Sequence, residues 1–275
     1  MTTTSRVWLI TGASRGLGRA FAEAALAAGD RVVAISRTPA PLDGDSLAIA
    51  TDVTDRAAVF AALEQAVAHF GRLDVVVNNA GAMWLGAVEE FSEEEARAAM
   101  ELNFFGALWV TQAVTPHLRE HGGRLLQISS IGGVVTGPMA GLYSAAKFAL
   151  EGMSEALAQE LAPFGVHVTL VEPGGYWTDL YRSGMHQTEP LEAYSALRSG
   201  EGGEEESVDS EPRLAAEAII KLVDSDDPPL RLILGSAVLD AAIAMTKAKI
   251  DTWERWEEVS RAAEHAVPMP EGYTS

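Results

Sequence analysis

The sequence predicts an α/β fold, a doubly wound parallel sheet with helices on both faces, and three features predict it. Short β-branched runs alternate with longer alanine-rich runs through the first half of the chain. Alternation of this kind builds βαβ units. The short runs are almost continuously apolar, as parallel strands covered on both faces must be. A glycine-rich turn stands where the first strand hands over to the first helix.

The elements follow in order. Strands are predicted over Val7–Ile10, Arg31–Ile35, Val75–Val77, Leu125–Ile128, Val166–Val171 and Arg231–Leu234. Helices are predicted over Gly18–Ala28, Ala57–Phe70, Glu93–Val114, Tyr143–Leu161 and Arg213–Val223, with a last amphipathic helix over Val238–Ala263. The stretch from 176 to 212 is polar and is read as a flexible lid or loop, with the acidic run Glu201–Glu206 as its solvated tip. No repeat or linker divides the chain, so residues 1–275 are read as one domain.

Composition narrows the function. The formal net charge is −19, which opposes binding to nucleic acid or an anionic membrane. An anionic ligand must then be held by local donors and a few arginines. The absence of cysteine excludes disulfides and thiolate metal sites, and the six histidines show no metal-ligand spacing. No metal is expected. No apolar run approaches the ~20 residues that span a bilayer, and no signal peptide fits the first residues. A cytoplasmic protein is expected.

The first strand ends in Thr11-Gly12-Ala13-Ser14-Arg15-Gly16-Leu17-Gly18. Glycines here let the backbone approach a pyrophosphate, and the helix start presents free N–H groups. The spacing is Gly-x3-Gly-x-Gly rather than the commoner Gly-x-Gly-x2-Gly. A ribose-binding acid is expected at the end of the second strand, but Ser36-Arg37 stands there. Arg37, with Arg15 in the glycine turn, suits a 2′-phosphate. NADP(H) is therefore expected over NAD(H).

Tyr143 and Lys147 lie one helical turn apart. A phenol ordinarily titrates near ~10, and a neighbouring ammonium is expected to lower that value. The pair makes an acid/base unit. Ser130 ends a strand thirteen residues earlier, Asn79 and Gly81 follow another, and Asn103 lies in a largely apolar helix. Ligands of doubly wound sheets bind at the carboxyl ends of the strands, where these residues converge.

Taken together, Thr11–Gly18, Asp52, Asn78–Gly81, Asn103, Ser130, Tyr143/Lys147 and Pro173-Gly174 resemble the classical short-chain dehydrogenase/reductase family, from Val7 to about Leu234. The resemblance implies a Rossmann-type sheet of about seven strands. It implies that Tyr143 transfers the proton, Ser130 orients the substrate oxygen, Lys147 holds the nicotinamide ribose, and Asn103 holds a water. It also implies cofactor contacts from Gly12, Ser14, Arg15, Gly16, Leu17, Gly18, Arg37, Asp52, Val53, Asn79, Ala80, Gly81, Pro173, Gly174 and Thr178. A homodimer or homotetramer through the long helices is implied as well.

The expected reaction moves a hydride between NADP(H) and a carbonyl or secondary alcohol of a small, hydrophobic substrate. Trp84 and Met83, with core packing as the alternative, and Tyr176, Trp177, Leu180, Tyr181 and Met185 are candidate substrate contacts. Trp253 and Trp256 read as packing or a subunit contact. A nucleotide-sugar epimerase or dehydratase is a rival, but its substrate domain is longer than the stretch after Lys147. A non-catalytic NADP-sensing protein is another, though it would be free to lose Ser130, Tyr143 and Lys147.

Overall fold

The computed structural model describes residues 5–199, 209–265, 267 and 272. The first strand, β1 (Val7–Thr11), leads into α1 (Gly16–Ala27), β2 (Arg31–Ser36) and β3 (Ser46–Ala50). Then come α2 (Arg56–Phe70), β4 (Val75–Asn78) and a short β5 (Met83–Leu85). Next are α3 (Glu93–Met100), α4 (Gly106–His121), β6 (Gly123–Ile128), α5 (Gly141–Leu161) and β7 (Val166–Pro173). The chain continues through α6 (Leu180–Ser183), β8 (Met185–Gln187), α7 (Ser195–Ser199), α8 (Pro212–Val223) and β9 (Arg231–Leu234). It closes with α9 (Ser236–Arg255) and α10 (Glu257–Ala262).

Seven strands form one parallel sheet in the order β3-β2-β1-β4-β6-β7-β9. Strand order reverses between β1 and β4, which creates a crevice at the carboxyl ends of those two strands. Successive side chains alternate between the faces. Leu9, Val33, Val76, Leu125 and Val168 pack with Val59 and Leu63 of α2 and Val114 of α4. Ile10, Val32, Val77, Leu126 and Val171 pack with Phe21 of α1 and Ile219 of α8. Both faces are covered, which is why the strands carry no polar alternation.

Several boundaries differ from the sequence reading. Strand β3 was not anticipated: it is a half-exposed edge strand of five residues behind a loop rich in Pro, Asp and Gly. The helix expected over Glu93–Val114 is two helices joined by a π-helical turn at Glu101–Phe105, and α4 runs on through Pro116 to His121. The apolar pattern crosses that turn because the backbone stays near helical values on either side. Helix α1 starts at Gly16 and α5 at Gly141, two residues before the predicted starts. The helix expected over 238–263 breaks at Trp256 into α9 and α10, and Ala242 is the only buried residue named in either. Trp253 and Trp256 are 67% and 59% exposed, so neither is packed within this chain.

The 176–212 stretch is ordered where it is described. It carries α6, β8 and α7; β8 pairs in parallel with β5, and Tyr176 bridges Ser210. The acidic run Glu201–Glu206 lies outside the described residues. No helix among the described residues is long and apolar enough to cross a membrane.

Candidate active site

The crevice at the strand ends is built first by backbone. Thr11 closes β1, and its hydroxyl accepts from the N–H groups of Asn79 (2.9 Å) and Ala80 (3.0 Å) just past β4. The Asn79 amide donates to the Thr11 carbonyl at 2.9 Å. This clasp ties the glycine turn to the next strand. Gly12 and Gly16 hold φ of 67° and 57°, a left-handed backbone that favours glycine. A Cβ on Gly18 would stand 2.4 Å from Asn79 Nδ2 and 2.5 Å from the Gly12 carbonyl oxygen. Side chains are therefore excluded from the turn, and the start of α1 carries no acidic residue in its first turn. Such a helix start has unpaired N–H groups and a partial positive charge.

The cavity has a volume of about 500 Å³. Lining it are Gly12, Ser14, Arg15, Gly16 and Leu17 of the turn, Arg37 after β2, and Asp52 and Val53 after β3. Asn79, Ala80, Gly81, Asn103, Ser130, Tyr143, Lys147, Pro173, Gly174, Thr178 and Tyr181 complete the sequence-predicted set at its wall. Gly18 is buried beneath the turn rather than at the wall. The glycine cradle, with exposed Arg15 and Arg37 at the cavity wall, fits a dinucleotide. Arg15 does donate to the Ser183 hydroxyl of α6. Among the described residues no group of three His, Asp or Glu could hold a metal ion.

Asn103 is buried inside the π-helical turn; its amide donates to Ala99 O (3.1 Å), and its Oδ1 accepts from Ala82 N (3.2 Å). A Cβ on Gly81 would meet Asn103 Oδ1 at 2.9 Å and Lys147 Nζ at 3.8 Å, which sets the three close together. Ser130 caps a short turn after β6, its hydroxyl accepting from Gly132 N at 3.1 Å. Tyr143 and Lys147 sit on the first turns of α5.

The electrostatics differ from the sequence expectation. Burial pushes the Tyr143 phenol above its ordinary value, and a hydrogen bond with Ser130 pulls the other way. Lys147 does not lower it: its Nζ donates to the Ile128 carbonyl at 2.9 Å and stands 5.8 Å from the tyrosine ring centroid. Burial brings Lys147 down to about 8, with the charge of Glu151 opposing.

The candidate substrate residues divide. Tyr181 lines the cavity, as do Met83, Tyr176 and Leu180. Trp84 does not; it is 5% exposed, packs with Ala82 and Ala99, and stacks on His186 at 4.5 Å. Its place in β5, paired with β8, turns the side chain into packing. Trp177 is 59% exposed and borders a separate, larger hollow of about 1180 Å³ between α1 and α8. That hollow holds none of Asn103, Ser130, Tyr143 or Lys147, all four of which line the smaller cavity. Thr38, Thr51 and Leu102 also line the cavity and went unread, since the pairing of β2 with β3 brings the first two there and the π-helical turn brings Leu102.

Comparison with known proteins agrees with this geometry. The family described as short chain dehydrogenase matches residues 6–189. The chain is 38% identical to oxidoreductase BOA17 of Botryotinia fuckeliana, covering 94% of this chain and 99% of that one. It is 41% identical to a 3-ketodihydrosphingosine reductase of Bacteroides thetaiotaomicron over 85% and 89% of the two chains. A short-chain dehydrogenase structure from Streptomyces avermitilis superposes with a TM-score of 0.87 at 39% identity, over 96% and 100% of the chains. A Burkholderia cenocepacia relative in complex with NADP (TM-score 0.75, 27% identity, 93% and 98% covered) and a Mycobacterium paratuberculosis relative bound to NAD (0.71, 25%, 84% and 96%) share the fold. With its glycine turn, its crevice and its Ser130, Tyr143 and Lys147 in the family's order, this chain belongs to the classical short-chain dehydrogenase/reductase family and is an oxidoreductase of that type.

Proposed function

We propose that the protein is an NADP(H)-preferring carbonyl reductase or alcohol dehydrogenase acting on a small, hydrophobic substrate. The observation that carries this reading is the gathering of Asn103, Ser130, Tyr143 and Lys147 in the cavity that also holds the glycine turn. Gly12 to Gly18 would receive the pyrophosphate, Asp52 and Val53 the adenine, and Arg15 and Arg37 the 2′-phosphate. Asn79 to Gly81, Pro173-Gly174 and Thr178 would border the nicotinamide half. When bound, that cofactor supplies or takes up the hydride.

The rest falls to the side chains. Tyr143 Oη gives its proton to the oxygen of a reduced carbonyl, or takes one from an alcohol. Because burial holds the phenol neutral, it is set as a donor, which favours reduction. Ser130 hydrogen-bonds the same oxygen and orients it. Lys147, anchored on Ile128 O, holds the ribose with its charge and returns a proton towards the phenol. Asn103 fixes a water that carries protons to solvent. Met83, Leu102 and Tyr176 supply apolar wall to the cavity, and the described parts of the 176–212 stretch act as the lid over it.

A cytoplasmic homodimer or homotetramer is part of this proposal. Exposed Phe148 on α5 and Phe164 just after it (42% and 45%) support an interface along the long helices. The function is tested by a panel of ketones and aldehydes offered with NADPH and with NADH, read at the nicotinamide absorbance. Faster consumption of NADPH with apolar ketones is expected. No ketone-dependent consumption of either nucleotide contradicts the reading, and a preference for NADH contradicts its cofactor half.

A further inference from the structure

On the side of Lys147 away from the crevice, the core holds acids that the proposed reaction does not use. Glu151 lies four residues beyond Lys147 on α5 and is 5% exposed. Residues at that spacing share one helix face. Glu172, on β7 immediately before Pro173, is fully buried. Arg231, the first residue of β9, joins the two. Its Nη2 stands 3.1 Å from Glu151 Oε2, and its Nε stands 3.3 Å from Glu172 Oε1. The same Nη2 meets Glu155 Oε1 at 2.6 Å on the exposed side.

One guanidinium thus serves three carboxyl groups. Among the described residues neither oxygen of Glu172 has a hydrogen bond, while Glu151 has the Ser129 hydroxyl beside it. An ionised carboxylate without such partners is costly to bury. Burial pushes Glu172 up to about 7, the charge of Glu151 adding to the rise and Arg231 opposing it. Burial raises Glu151 as well. The two acids therefore titrate as a coupled pair.

The other groups around Lys147 are few. Tyr143 and Glu151 face it from α5, and Ile128, Ser129 and Ser130 lie at the end of β6. Asn103 stands in the π-helical turn, while Glu172 and Arg231 lie behind Glu151 with Glu155 at the rim. Tyr181, hydrogen-bonded to Asp209, stands near Tyr143 on the lid side. Of these, Glu151 is the acid whose charge acts on Lys147.

We propose that Glu151 and Glu172, bridged by Arg231, are positioning residues that set the charge of Lys147 from behind the crevice. The proposal rests on the catalytic reading above and deepens it. On losing its protons the pair becomes negatively charged. Lys147 then gains a buried counter-charge and keeps its own proton further into the alkaline range. Glu151 acts directly, and Glu172 acts by competing with it for Arg231.

The chain has four lysines, Lys147, Lys221, Lys247 and Lys249, and only Lys147 is buried. Carbon-13 labelling of the lysine side chains followed by NMR titration of the full-length protein reads Lys147 without turnover, its signal assigned by its loss in Lys147→Met. Lys147 is expected to titrate at about 8 in the parent protein. Glu151→Gln is expected to lower that midpoint by about one pH unit. Glu172→Gln is expected not to lower it, and Glu151→Asp to restore most of the loss. Should Glu151→Gln fail to fold, Glu151→Met removes the charge with a side chain of similar length and is expected to give the same fall. An unchanged midpoint on loss of the Glu151 charge, or an equal fall in Glu172→Gln, overturns the proposal. The titration requires no catalysis, so failure of the proton-transfer reading at Tyr143 is a separate result.

Discussion

Arg37 is the residue on which the proposed cofactor preference turns. It follows β2 where a ribose-binding acid is expected, is exposed, and lines the cavity with Arg15. A guanidinium on a phosphate dianion forms charge-assisted bonds that a ribose hydroxyl cannot replace. Arg37→Ala is expected to raise the KM for NADPH about tenfold, a loss of roughly 1.4 kcal/mol, and to leave that for NADH nearly unchanged. Equal effects on both nucleotides would remove Arg37 from the phosphate site. The identities of Ser130, Tyr143, Lys147 and Asn103 were legible because residue type and spacing along the chain define them. The surroundings of Tyr143 were not. Spacing alone suggested an ammonium against the phenol, whereas Lys147 reaches across to Ile128 and leaves burial to dominate. Glu151, Glu172 and Arg231 were equally hidden, since only the β7–β9 pairing and the packing of α5 bring them together.

Between residues and the whole lie two elements that periodicity could not reveal. The π-helical turn between α3 and α4 buries Asn103 without interrupting the apolar pattern. Such turns often mark functional sites. The segment proposed as a lid is held by two neighbouring acids: Tyr194 donates to Glu89, and the deeper anchor is Glu90, whose side chain is fully buried. Its carboxylate accepts from Leu191 N (2.9 Å), Thr188 Oγ1 (2.8 Å) and Ala87 N (2.7 Å), and it pairs with Arg198. These bonds, the one from Leu191 first, bring its pKa down to about 2. A polar, loop-like sequence concealed this anchoring, because the partners lie about a hundred residues away. Glu90→Ala is expected to free the 188–198 segment. Limited proteolysis should then cut there faster, and the KM for the carbonyl substrate should rise while that for NADPH holds. An uncut segment with unchanged substrate KM would show that Glu90 does not anchor the lid.

For the whole molecule, the parallel sheet and its two covered faces were legible because the buried strands are apolar over most of their length, with polar residues such as Gln127 and Glu172 as exceptions. The edge strand β3 was not, since one of its faces meets solvent. Stability should depend on pH through the buried acid of β7. Glu172 ordinarily titrates at 4.5 and stands at about 7 in the fold. Between those values the folded protein keeps a proton that the unfolded chain has released. Its contribution is complete below 4.5 and is lost as pH rises through 7. The thermal midpoint is expected to fall over that window, and Glu172→Gln to flatten the fall. A slope unaltered by that substitution would place its origin elsewhere. The net charge of −19 adds self-repulsion, so added salt should raise the midpoint at neutral pH.

The proton-transfer role proposed for Tyr143 is reached most directly by single-turnover kinetics. Tyr143→Phe is mixed with NADPH and the best ketone of the panel, and nucleotide binding is followed separately by fluorescence. Binding should be nearly unchanged, and the hydride step should slow by roughly 10²–10⁴-fold. A Phe variant that oxidises NADPH at close to the parent rate would contradict the account.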